Sequence, residues 1–214
     1  MSIVPIYNAS FIGLFLVGLF LWKVWFFVVF LVCAMVSIVI FVWDGLGKVF
    51  HYESAFWLFV FSEVMIFGSF LMGCLFFDSW SYESLSSSLE IPFVGCFVLL
   101  GSSITVTAFH HLLGWKCCDF FLFLTIVLGL SFVALQIFEM EDIGVNAFDS
   151  SFHASSFCTV GLHFSHVLLG VIGLSTILLV GSYKFGIYRC TVLTWYWHFV
   201  DYIWLLVYTI VYVC

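Results

Sequence analysis

Five ionisable residues, Glu63, His163, His166, His198 and Asp201, stand inside long apolar stretches where no loop can solvate them. A charge at the centre of a bilayer costs roughly 2.5–3.5 kcal/mol on insertion scales, so each must face protein, water or a lipid headgroup. His163 and His166 are three residues apart and share a helix face, and His198 and Asp201 repeat that spacing. Acids and imidazoles so placed suit a buried hydrogen-bond network. Haem or copper would instead need axial ligands converging from facing helices, which a pair on one face supplies poorly. The eight cysteines are scattered, with Cys117 and Cys118 adjacent and no Cys-x-x-Cys, so neither a zinc site nor a secreted disulfide framework is expected. No catalytic residue and no metal ligand is expected in the chain.

The elements that must position these residues follow from composition. Of 214 residues, 65% are hydrophobic, 22% aromatic and only 8% charged, with a mean hydropathy of +1.27. Soluble domains carry about 25% charged residues, so lipid must solvate most of this surface. A helical crossing takes roughly 20 apolar residues, which leaves no room for a soluble catalytic domain. The expected fold is an all-α polytopic membrane protein of seven transmembrane helices. Residues 11–43 are too long for one crossing, and Trp22-Lys23-Val24-Trp25 marks the break, because Trp favours headgroups and Lys avoids the bilayer centre. Spans one and two are placed near 5–21 and 25–43, giving an N-terminal two-helix bundle over 1–43. The remainder, 44–214, is expected to form a five-helix bundle with spans near 54–77, 91–109, 119–138, 152–180 and 191–213. Glu63 then lies about 14 Å from the inner end of span three. Pro92 opens span four where its missing N–H costs nothing. Ser62, Ser69 and Gly73 offer span three a small-residue face for close helix approach.

Cations set the orientation. Lys48, Lys116, Lys184 and Arg189 fall on the side of the loops after spans two, four and six, with Lys23 alone opposite, so those loops are matrix or cytoplasmic and the N-terminus lies with them. The other side collects Asp78, Glu83, Glu90, Glu139, Glu141, Asp142 and Asp149, read as a solvated acidic face. Trp22, Lys23, Trp25, His110, His111 and Lys184 are expected at the membrane interfaces, the two histidines at a helix C-terminus that favours a cation. The cations never cluster, which argues against nucleic acid as a partner.

One string is specific: Trp195-Tyr196-Trp197-His198-Phe199-Val200-Asp201, followed by Ile203-Trp204-Leu205. It closely resembles the last helix of the cytochrome c oxidase subunit III family. The resemblance continues in order through Ser62-Glu63-Val64, Leu89-Glu90-Ile91-Pro92, Ser103-Ile104-Thr105, His110-His111, Leu128-Gly129-Leu130, Leu135-Gln136, Glu139 and Gly161-Leu162-His163-Phe164-Ser165-His166-Val167. It covers the chain from about Asp44 onward. Where the family usually carries an Arg at the inner end of span six, this chain has Val180, with Lys184 a turn later.

The resemblance implies a non-redox core membrane subunit of cytochrome c oxidase, respiratory complex IV, in the mitochondrial inner membrane. Spans one-two and three-seven would form two bundles around a lipid cleft. Haem a and copper would belong to partner subunits, this chain holding no cofactor beyond structural phospholipids. It would pack chiefly against subunit I and also meet other complex IV subunits, supporting assembly, proton uptake and sustained turnover. Glu63, His163, His166, His198 and Asp201 would line the lipid cleft or form a buried polar network. The third subunit of a quinol oxidase, an unrelated membrane transporter, and a bacterial plasma membrane are the alternatives. A transporter would be expected to show broken helices or an internal repeat, and the chain displays neither pattern.

Overall fold

The computed structural model describes residues 4–21, 24–45, 53–78, 85–115 and 117–213. Its regular structure is helical throughout these residues: α1 (Val4–Phe20), α2 (Val24–Gly45), α3 (Glu53–Phe77), α4 (Ile91–His111), α5 (Cys118–Asp142), α6 (Ser151–Val180), α7 (Ser182–Phe185) and α8 (Ile187–Val207). A π-helical stretch, Tyr208–Val213, continues α8. Among the described residues five helices are long and apolar enough to cross a bilayer: α3, α4, α5, α6, and α8 with its extension. Helix is the expected state for such segments, because hydrocarbon offers no partner to an open backbone N–H or C=O.

The chain divides into two compact units, residues 1–51 and 52–214. In the first, α1 and α2 run antiparallel. Phe30 meets both Phe11 and Phe15, Ser37 donates to the Asn8 side chain, and Tyr7 donates to the Cys33 carbonyl at 3.4 Å. The apolar run 11–43 is therefore two helices, ending at Phe20 and restarting at Val24. Trp22 and Lys23, expected at that break, lie outside the described residues.

In the second unit α8 is the axis. It packs against α3, α4 and α6, while α5 packs along α4 and α6. The Trp197 indole is fully buried and donates from Nε1 to Ser102 Oγ of α4 at 2.9 Å. Its ring lies directly on two glycines. A Cβ at Gly170 of α6 would stand 2.7 Å from the ring, and one at Gly129 of α5 would stand 2.8 Å from it. One side chain thus sets the approach of three helices to α8. Trp204, two turns on, repeats the arrangement against Phe132 of α5, ring centres 4.8 Å apart.

Helix ends carry local signals. Ser150 is extended, and its side chain accepts from the His153 N–H at 3.1 Å to open α6. Gly181 closes α6 with φ +87°, a conformation that side chains with a Cβ rarely adopt. α5 runs to Asp142, four residues past its expected end at 138, because its last turn is held against the bundle by Glu139.

Filling either glycine under Trp197 overpacks the axis. Gly170→Ala and Gly129→Val are expected to lower stability by about 1–3 kcal/mol each, read as a fall in the thermal midpoint of the detergent-solubilised protein. Adding Trp197→Phe, which shortens the ring, should recover part of the loss.

Candidate functional site

Polar side chains inside the five-helix unit gather in three places. The first joins α3, α6 and α8. His166, nine-tenths buried, is pinned by Tyr196, whose phenol oxygen lies 2.9 Å from the ring Nδ1 and 3.2 Å from the His166 carbonyl. The other ring nitrogen, Nε2, lies 3.2 Å from Glu63 Oε2. Phe67 covers the imidazole at 5.4 Å between centres. Glu63 keeps 15% of its side chain exposed. It therefore offers an acid at the edge of the bundle, backed by an imidazole whose orientation a phenol fixes. Gly73 brings α3 close to α6: a Cβ there would stand 3.1 Å from Ser155 Oγ, while Cys74 reaches Ser156 and Thr159 at 3.7 and 3.8 Å. The Ser62 and Ser69 hydroxyls instead bond their own helix.

His163 is not part of that group. Its Nε2 donates to the Val200 carbonyl of α8 at 3.2 Å, and its ring packs on Trp204 at 4.9 Å. The three-residue spacing puts both histidines on the α8-facing side of α6, but it sends His163 to the backbone and His166 to α3.

The second group lies on the α4–α8 seam. His198 bridges Ser103 Oγ from Nδ1 at 2.8 Å and Thr107 Oγ1 from Nε2 at 3.3 Å. His110 Nε2 meets Thr191 Oγ1 at 3.1 Å one turn nearer the end of the seam. Asp201 is buried beside Ser103, and neither of its carboxyl oxygens has a hydrogen bond among the described residues. Ser103 thus bonds His198 directly and has Asp201 beside it. Of the expected interfacial residues, His110 is half-buried in this seam, whereas His111, Trp25 and Lys184 are exposed.

The third group falls where the sequence predicts a solvated acidic face. Glu139 is in fact 1% exposed, accepting from Ser86 at 2.8 Å and from Gln136 at 2.7 Å, with the Tyr212 phenol beside it. Glu139, Glu90 and Asp142 line a small cavity of about 180 Å³. The acidic neighbours Glu141 and Asp142 mask Glu139 in the sequence, although the Gln136-x-x-Glu139 spacing is an available signal. His153 is a further buried polar residue, its ring at 2.8 Å from Ser150 Oγ. Among the described residues no three His, Cys, Asp or Glu side chains gather into a metal-holding group.

The Glu63–His166 contact predicts measurable coupling. Glu63→Leu and His166→Leu each leave a polar partner without its mate, at a cost of about 1–3 kcal/mol. In a double-mutant cycle read by detergent denaturation, the pair should show about 0.5–3 kcal/mol of interaction energy, whereas Glu63 with His198 should be additive.

The family model described as cytochrome c oxidase subunit III matches residues 47–214. The protein named cytochrome c oxidase subunit 3 from Tachyglossus aculeatus aculeatus is 32% identical over 179 residues, which takes in 78% of this chain and 65% of the relative. The protein of that name from Artemia franciscana is 34% identical over 178 residues, covering 72% and 66%, and that from Drosophila melanogaster is 32% identical over 182 residues, again covering 72% and 66%. The match thus spans just under two thirds of these relatives' length. It contains all five membrane-length helices and all three polar groups, from Glu63 to Tyr212. The chain belongs to the cytochrome c oxidase subunit III family.

Proposed function

We propose that this chain is a non-redox core membrane subunit of cytochrome c oxidase in the mitochondrial inner membrane. In this role it packs chiefly against subunit I, holds phospholipid, and supports proton uptake and sustained turnover while haem a and copper in partner subunits reduce oxygen. The observation that carries the reading is the family match over a helical bundle whose buried polar side chains pair with one another. Imidazoles held by Tyr196, Ser103, Thr107 and a backbone carbonyl are organised for structure and proton contact. The relatives' eukaryotic sources favour the mitochondrial location over a bacterial membrane.

In this reading α1 and α2 are the first two of seven spans, and the N-terminus lies in the matrix. Glu63, at the edge of its bundle with His166 behind it, is the group that would meet a lipid headgroup or a buried water. The missing cation at Val180 shifts any contact with lipid phosphate to Lys184, which is exposed on α7. A second subunit III, that of a quinol oxidase, would share the packing and differ in the electron donor of its partners.

Affinity purification through a tag on this chain tests the proposal. Haem a, copper and subunit I are expected in the eluate in near-stoichiometric amounts, and the chain stripped from them should carry neither metal nor a Soret band. Recovery with a quinol-oxidising complex, or with no redox subunit, would overturn it. Glu63→Gln keeps shape and hydrogen-bonding capacity. That variant is expected to assemble and to reduce oxygen, with an altered content of tightly bound phospholipid by mass spectrometry.

A further inference from the structure

The α4–α8 seam contains a hydrogen-bonded order that determines the direction of each proton. Thr107 has one hydroxyl proton, and it goes to the Ser103 carbonyl at 2.8 Å. The Thr107 oxygen must therefore accept from His198, which makes Nε2 the protonated nitrogen of the neutral ring. Nδ1 is left as an acceptor, and the Ser103 hydroxyl donates to it at 2.8 Å. Ser103 Oγ then has lone pairs free toward Asp201, the buried acid it faces. Asp201 is 2% exposed, and neither carboxyl oxygen has a hydrogen-bond partner among the described residues. A proton on Asp201 gives it a donor, and Ser103 Oγ is the acceptor in place. Protonated, Asp201 would extend the Ser103–His198 hydrogen bond into a donor-to-acceptor order of three groups.

His198 is the accessible end. It is only partly buried, stacks on the exposed Tyr202, and lies toward His110 and Thr191, at the end of the bundle that carries Lys184 and Arg189. Asp201 is the closed end. Beyond it Trp204 and Phe132 pack edge to face with centres 4.8 Å apart, and His163 lies against Trp204 with its donor committed to the Val200 carbonyl. The helices packed on α8 carry Glu63 on α3, Cys96, His110 and His111 on α4, and His163 and His166 on α6, with His198 and Tyr202 on α8 itself. Among the described residues only His198 of these titratable groups is hydrogen-bonded to Ser103.

We propose that Asp201 is a proton-storing site, loaded and emptied at one end of the bundle through Ser103 and His198. Loading begins with His198 protonated on both nitrogens and Asp201 ionised. The Nδ1 proton passes to Ser103 Oγ as the Ser103 hydroxyl proton passes to an Asp201 oxygen. One N–H bond breaks, one carboxyl O–H bond forms, the serine ends as it began, and both charges disappear together. Unloading is the reverse. The aromatic stop at Trp204 and Phe132 makes the site a reservoir, since the proton leaves by the way it entered.

Infrared difference spectroscopy on the detergent-purified protein, with the subunits that accompany it, tests the proposal. The wild type is expected to show a protonated-carboxyl carbonyl stretch that is lost in Asp201→Asn and moves in frequency in Asp201→Glu. That band should shift on transfer to D2O. In Ser103→Ala the band should remain while its D2O shift slows by about tenfold or more, the signature of a barrier raised by at least 1.4 kcal/mol. Ser103→Thr, which restores a hydroxyl, should return the wild-type rate. A band set unchanged in Asp201→Asn or Asp201→Glu would show that Asp201 holds no proton. Equal exchange rates in the wild type and Ser103→Ala would show that the serine route is not used. Either result overturns the proposal. If Asp201→Asn does not accumulate, the Asp201→Glu frequency and the two Ser103 variants still decide it.

Discussion

Apolar helices gain almost nothing by leaving lipid for one another, so association inside a bilayer depends on close packing and buried polar contacts. In this bundle both requirements converge on the Trp197 indole. Its faces rest where Gly129 and Gly170 have no side chain, and its N–H is taken by Ser102. Remove the close approach and α5 and α6 lose their seat. Remove the serine and a fully buried donor is left in a setting without water. The positions of Ser103, Gln136 and His166 relative to α8 follow from helices held by this one ring, which explains why polar groups on α4, α5 and α6 meet their partners at hydrogen-bond distance.

The same constraint explains the distribution of polar residues. Each of the three polar groups joins two or more helices across long stretches of chain, as His198 does with Ser103 and His166 with Glu63. Hydroxyls do much of the connecting. Ser103, Thr107 and Tyr196 accept and donate at once, so they can satisfy an imidazole without introducing a charge. Arg and Lys are absent from these contacts among the described residues, and the five cations of the sequence fall outside the membrane-length helices except Arg189, in the first turn of α8.

Much of the helical layout is legible in the sequence because each span is a long apolar run ended by charge, proline or a cap. Pro92 stands in the first turn of α4, and Ser150 and Gly181 bound α6. The identities of the buried ionisable residues are legible for the same reason, since Glu63 or Asp201 among Phe, Val and Leu has no solvent to explain it. Their partners are not. Glu63 and His166 are separated by two helices' worth of chain, and no local period says which face of α3 turns toward α6. Ser103 looks like a small packing residue whose hydroxyl would bond its own helix, as Ser102 does in part. Glu139 looks like loop because acidic neighbours follow it. Its burial depends on Ser86, far upstream, which only the folded chain brings near.

The π-helical close of α8 governs register. An α-helix advances about 100° per residue, and a π stretch shifts the residues after it relative to that count. Tyr212 comes to stand beside Glu139 because Tyr208–Val213 is wound this way. The orientation of that phenol is therefore a property of how many residues lie between Trp204 and Tyr212, more than of which residues they are. Side-chain changes in this stretch leave the angular count intact. A single insertion or deletion there alters it, turning an apolar neighbour toward a buried carboxyl and the phenol toward lipid.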